Sequence, residues 1–253
     1  MRTIGFLAFL MIAASCAADV PQVVRENLKR ESFDTFHFVP DGVPRAIVLF
    51  GSGDGGWGYL ENKICMFLKA NSFYVVGIDC RRYAESDYDN ATLVSDFATI
   101  AHDALRPGGH PELQVVYGGW SMGAVQAVAA TARGRRSLSL VGLLLMSMDK
   151  RGRYGLRLTD EIGLAPRGND TFGVADFTSW VTNLRVVQYE AVGDWMSDVD
   201  WIQTLQTSHR LYRLQHSNHD FNGANEELRK KVLEGLNWIL DRFFPTADRR
   251  EQS

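Results

Sequence analysis

The chain has 253 residues, 45% of them hydrophobic and 23% charged, with a formal net charge of −3. That balance is globular and excludes a disulfide-stapled mini-protein or a disordered scaffold. It carries no bulk positive charge of the kind that nucleic acid binding draws on, so no nucleic acid partner is expected.

The N-terminus stands apart from the rest. Arg2 precedes an apolar run from Ile4 to Ala14, and small residues follow from Ala13 to Ala18. This is the pattern of a secretory signal peptide over residues 1–18, and the run is shorter than the roughly 20 residues a spanning helix needs. Two ends are open: cleavage after Ala18, or a lipobox that makes Cys16 a lipidated first residue and holds the protein at a membrane surface. Residues 19–253 read as one domain. Cys65 and Cys80 remain within it, placed too far apart for a disulfide and expected to be buried free thiols.

From Phe36 onward strands and helices alternate. The apolar run Ala46 to Phe50 predicts a buried strand, followed by a glycine loop and a helix from about Trp57 to Ala70. Phe73 to Ile78 is the next strand. A polar loop leads to Asn90, read as the cap of a helix that runs from Thr92 to Leu105 and stops at Pro107-Gly108-Gly109. Leu113 to Tyr117 predicts a strand, Met122 to Ala132 a helix and Leu140 to Met146 a strand. The stretch 147–183 breaks the rhythm and predicts a small excursion near the active face. Val186 to Val192 and Arg210 to Leu214 are further strands. Leu228, Val232, Leu236, Ile239 and Phe243 then recur at helical spacing. Strand alternating with helix defines an α/β fold with a mostly parallel sheet covered on both faces.

Gly119-Trp120-Ser121-Met122-Gly123 fits G-x-S-x-G at the junction of a strand and a helix, the setting of a nucleophile elbow. A serine hydroxyl needs a base, and the chain order Ser, acid, His points to the loop after the last strand. His219 is the first choice there and His216 the second. The loop after Val192 carries Asp194, Asp198 and Asp200. Asp198 is favoured to orient the imidazole, Asp194 is the alternative, and Asp200 reads as a helix-cap residue. Oxyanion donors are expected from the backbone N–H of Met122 and from the loop Gly51 to Trp57, at Asp54 or alternatively Gly53. Trp57, Trp120 and Trp195 are candidate walls of an apolar substrate pocket. No cofactor and no metal are called for, since no His/Cys/carboxylate set has ligand spacing. Gly51-x-Gly53-x-x-Gly56 with Asp79 downstream also fits a dinucleotide fingerprint, the basis of a rival oxidoreductase reading.

Ser52-Gly53-Asp54-Gly55-Gly56-Trp57, Val76-Gly77-Ile78-Asp79 with Arg82-Tyr83, the elbow, and His219-Asp220-Phe221-Asn222-Gly223 occur in the order seen in the VirJ/AcvB family. The sequence resembles that family of bacterial periplasmic virulence proteins over roughly residues 46–240. The resemblance implies an α/β-hydrolase fold, Ser121 as nucleophile, His219 as its histidine, and a periplasmic location. It also implies an ester substrate of the lysyl-phosphatidylglycerol kind, and association with a secretion system. Met122 stands where the family pattern has Phe. Two functions are therefore expected: an exported serine hydrolase cleaving a small or lipid ester, or a non-catalytic envelope binding module with a secretion-complex partner.

Overall fold

A computed structural model describes residues 20–28, 32–106, 112–132, 139–161 and 166–241. The expected signal segment with Cys16, the stop at 107–109 and Phe243 lie outside the described residues.

Eight of the ten described strands form one sheet, and the other two pair separately. In chain order the elements are β1 (Gln22–Asn27), β2 (Ser32–Phe38), β3 (Ile47–Gly51), α1 (Tyr59–Ala70), β4 (Tyr74–Ile78), α2 (Cys80–Ala84), α3 (Asn90–Leu105), β5 (Val115–Trp120), α4 (Met122–Ala129) and β6 (Leu140–Met146). The small hairpin β7 (Arg151–Arg153) and β8 (Thr171–Gly173) follows, with α5 (Leu158–Glu161) between its strands and a 3-10 turn (Val174–Trp180) after it. The chain then returns through β9 (Arg185–Ala191), α6 (Asp200–Gln203), β10 (His209–Leu214) and α7 (Asn225–Leu240). The sheet order is β1-β2-β4-β3-β5-β6-β9-β10, antiparallel across β1/β2 and β2/β4 and parallel elsewhere.

The central strands are apolar without alternation because both sheet faces are covered. Leu49 and Val76 pack on one side, Val48 and Val75 on the other. α7 buries Leu228, Val232, Leu236 and Ile239, the face its spacing predicts.

Three local features differ from the sequence reading. The β1–β2 hairpin was not foreseen. Its buried face carries Thr35 and His37, which bond to each other and to Glu26 and Tyr74, so polar residues mask the strand alternation. The polar loop after β4 opens with α2, capped by Asp79, whose carboxylate accepts the Arg82 N–H at 3.1 Å. Asp89 rather than Asn90 caps α3, taking the Thr92 N–H at 2.7 Å. Cys65 and Cys80 are free and buried, as expected, and burial pushes both thiols well above their ordinary range.

Candidate active site

β5 ends against β3 and α4 starts immediately beyond it, with no loop between them. The turn is that tight because Gly119 and Gly123 lack side chains. A Cβ on Gly119 would lie 2.6 Å from the Gly123 carbonyl carbon and 2.7 Å from the Gly51 oxygen. One on Gly123 would fall on the Gly51 backbone. Ser121 sits at the apex with φ 53 and ψ −117, a conformation that costs a non-glycine residue about 1–3 kcal/mol. Its N–H is tied to the Met146 carbonyl at 2.9 Å, and its carbonyl accepts the Ala124 and Val125 N–H groups. The backbone is fully engaged and the side chain is left at the wall of a cavity of about 410 Å³.

His219 lines the same cavity. Its Nδ1 lies 2.8 Å from Asp194 Oδ2, leaving Nε2 as the other ring nitrogen. The pairing is built by the backbone below it. Gly193 donates its N–H to the Ser217 carbonyl at 2.9 Å, an approach that a side chain would block: a Cβ on Gly193 would lie 2.7 Å from that oxygen. Asp194 Oδ1 also accepts the Met196 N–H at 3.0 Å. Burial acts to raise the Asp194 carboxyl, but the hydrogen bond and charge of His219, the Met196 N–H and the Ser147 hydroxyl outweigh it and hold it below the ordinary carboxylate range.

Asp198, favoured from the sequence as the partner of His219, does not take that place. Its Oδ1 accepts the Asp200 N–H at 3.2 Å, its carbonyl accepts from Gln188, and its N–H donates to Met148. It lines the cavity, and Asp200, expected as a helix cap, is instead the first residue of α6, whose N-cap is Val199. Near Asp198, burial pushes the Asp149 carboxyl up, and the Asp198 charge adds to that push against the N–H groups of Arg151 and Lys150. His216 is exposed and does not reach the cavity lining, and His209 is exposed at the start of β10.

Of the two oxyanion candidates in the glycine loop, the Gly53 N–H points to the buried Glu61 carboxylate, 3.4 Å away, while Asp54 lines the cavity. Met122 lines it too, and as the first residue of α4 its N–H has no acceptor within the helix. Glu61 also takes the Gly58 N–H at 3.0 Å, and Arg81 donates to the Asp54 carbonyl at 3.1 Å. The loop is thus held from below and from one side. Three of its four glycines are accounted for, Gly51 against the elbow, Gly53 against Trp120 and Gly56 at φ 85, while a Cβ on Gly55 would meet open space.

The three tryptophans separate. Trp195 is 83% exposed at the cavity rim. Trp57 does not line the cavity: it stacks on Phe36 at 4.7 Å between ring centroids and covers Gly77, whose hydrogen makes room for the indole. Nor does Trp120, which packs on Gly53 and His219 and donates its Nε1–H to the His219 carbonyl at 2.9 Å. Their partners lie far away in the chain, so burial rather than a pocket claimed them. Ser147 was missed in the sequence. It sits just past β6 at φ 42, and its hydroxyl reaches the His219 carbonyl at 3.2 Å. Among the described residues no cluster of His, Cys, Asp and Glu could hold a metal ion, and no helix is long and apolar enough to cross a membrane.

A parallel sheet with a serine elbow after β5 and a histidine loop after the last strand defines an α/β-hydrolase fold. Solved structures agree. The chain is similar to the esterase domain of a Rhodothermus marinus protein (12% identity, TM-score 0.63, covering 87% of this chain and 97% of that one). It is also similar to dienelactone hydrolase from Anabaena variabilis (19%, TM-score 0.62, 85% and 97%). A lidless α/β serine hydrolase from Xanthomonas campestris matches as well (15%, TM-score 0.58, 87% and 94%). At these identities the likeness is one of fold. The family is given by sequence: the chain belongs to the bacterial virulence protein family VirJ, whose model matches residues 45–239. No curated protein sequence matches the chain.

Proposed function

We propose that this protein is an exported serine hydrolase that cleaves an ester through an acyl-enzyme. The observation that carries the reading is that a strained Ser121 opens onto the same cavity as His219, whose Nδ1 is held by the buried Asp194. Ser121 Oγ attacks the ester carbonyl while His219 Nε2 takes its proton. The negative charge that develops on the carbonyl oxygen is met by the N–H groups of Met122 and Asp54. The carbon–oxygen bond to the alcohol breaks, and His219 returns the proton to the departing oxygen. Water then attacks the acyl-enzyme, giving a proton to His219, which passes it to Ser121 Oγ as the carbon–Oγ bond breaks and the acid leaves. Asp194 keeps the imidazole in one tautomer and stabilises its protonated form.

The esterase and dienelactone hydrolase named above support the reaction class. Membership of the VirJ family supports an acyl or aminoacyl ester of a lipid, of the lysyl-phosphatidylglycerol kind, met in the periplasm. The N-terminal segment supports export, with membrane-surface attachment if Cys16 is lipidated.

A fluorophosphonate probe is expected to label the purified mature protein and to leave Ser121→Ala unlabelled. Wild type that resists the probe, or a variant that labels equally, removes the reading. A screen of periplasmic lipid esters with Ser121→Ala as control then identifies the substrate.

A further inference from the structure

Gln126 lies five residues after Ser121 on α4 and lines the same cavity, with 1% of its surface exposed. Its Nε2 donates to the Tyr88 hydroxyl at 2.8 Å. That hydroxyl has one proton, which goes to the Arg153 carbonyl at 3.0 Å. The phenol oxygen can therefore only accept from Gln126, and this sets the orientation of the amide. Turned over, its oxygen would face an oxygen with no proton to give. Gln126 Oε1 is thus left as a buried acceptor with no donor in the protein. Native proteins leave few such groups, and one on a residue that lines a cavity beside a nucleophile has a ligand as its natural partner.

We propose that Gln126 determines specificity: its Oε1 receives an N–H or O–H donor carried by the substrate, away from the ester carbonyl. The inference rests on Ser121 being the nucleophile of this cavity, and it narrows the substrate class to esters with a hydrogen-bond donor on the limb that reaches past Val125. Val125, Met122 and Phe172 line the same cavity with apolar surface, so a limb without a donor would leave Oε1 dry and unpaired. The Asp149 and Asp198 carboxylates line the cavity as well, but both already accept backbone N–H groups.

The test uses fluorogenic esters of graded chain length, in matched sets ending in a hydroxyl, a methyl ether or an ethyl group. The ether keeps the oxygen but cannot donate. At one length the hydroxyl ester is expected to exceed both others in kcat/KM by about tenfold or more. In Gln126→Met that ratio falls towards one while the ethyl-ended ester is still turned over. Tyr88→Phe deletes the hydroxyl that orients the amide, and it is expected to weaken the preference while the ethyl-ended ester is still turned over. Should Gln126→Met fail to fold, Gln126→Glu is measured instead, and its ranking is expected to shift towards ammonium-ended esters. Equal rates for all three ends at every length, a preference that survives Gln126→Met, or an unchanged ranking in Gln126→Glu overturns the proposal and assigns the acceptor to a water. Binding of the same sets to Ser121→Ala keeps the two readings apart. If nothing is hydrolysed by wild type but the hydroxyl ester binds Ser121→Ala more tightly, and Gln126→Met in that background abolishes the difference, the hydrolase reading fails and the subsite stands.

Discussion

Asp194 Oδ2 lies 2.8 Å from His219 Nδ1 although 25 positions separate the two residues in the chain. The contact is secured from beneath, where the Gly193 N–H binds the Ser217 carbonyl and the Val192 N–H binds the Leu214 carbonyl. The loops after β9 and β10 are thereby joined at one sheet edge. Asp194, directly after the glycine, is the carboxylate delivered to the imidazole.

Exchange of the two loop acids separates them. Asp194→Asn is expected to lower kcat by about a thousandfold or more, because the amide offers the imidazole the wrong tautomer and no charge. Asp198→Asn should change kcat by less than about tenfold, since its carboxylate serves the Asp200 N–H. Steady-state kinetics on one ester decide it, and the reverse ranking would return the role to Asp198.

The pH dependence of stability has opposite signs at Asp194 and Glu61. Asp194 is held low, so its contribution is full above the unfolded carboxyl's value of about 3.9 and is lost as pH falls through its lowered folded value. Glu61 is pushed up by burial, with the Asp79 charge assisting against the N–H groups it accepts. Its contribution is full below the unfolded value of about 4.3 and is lost as pH rises through the raised folded value. Thermal unfolding between about pH 3 and about pH 7 checks both. Wild type should gain on Glu61→Gln as pH falls towards about 4.3, and should begin to lose its advantage over Asp194→Asn only below about 3.9.

Gly123→Ala should destabilise the fold by about 1–3 kcal/mol, because the new methyl group meets the Gly51 backbone rather than a movable side chain. Gly55→Ala is the control. Its Cβ would meet open space, and a change within about 0.5 kcal/mol is expected. Denaturant titration of the two variants reads the difference directly, and equal stability would mean that the elbow is looser than its packing implies.

Trp120→Phe keeps a ring against Gly53 but deletes the Nε1–H that holds the His219 carbonyl. The lost hydrogen bond costs stability about 1 kcal/mol. Freed from one of its two backbone tethers, the other being Ser147, His219 should be less well placed. The expected result is a kcat lowered by about tenfold with KM little changed. A drop confined to KM would place Trp120 in substrate binding instead.

The elbow could be read from five consecutive residues because its constraint is local: a sharp strand-to-helix turn needs glycine on both sides of Ser121 wherever it occurs. The same locality made the central strands legible, since a strand covered on both faces has no polar side to show. β1 and β2 were not legible, because Thr35 and His37 of β2 are satisfied by Glu26 of β1 and Tyr74 of β4, and such partners leave no mark in a short window.

The position of His219 followed from chain order, since the loop after the last strand opens at the sheet edge where the elbow stands. The choice between Asp194 and Asp198 did not. Both are loop carboxylates within five residues, and what separates them is a backbone hydrogen bond between two loops together with the missing side chain of Gly193. The fates of the tryptophans likewise depended on Gly53 and Gly77, distant glycines whose bare surfaces admit an indole. Residue types and spacing carry a site's chemistry as far as neighbours in the chain extend. Beyond that, close packing between distant segments selects which of several equivalent side chains meets the reacting group.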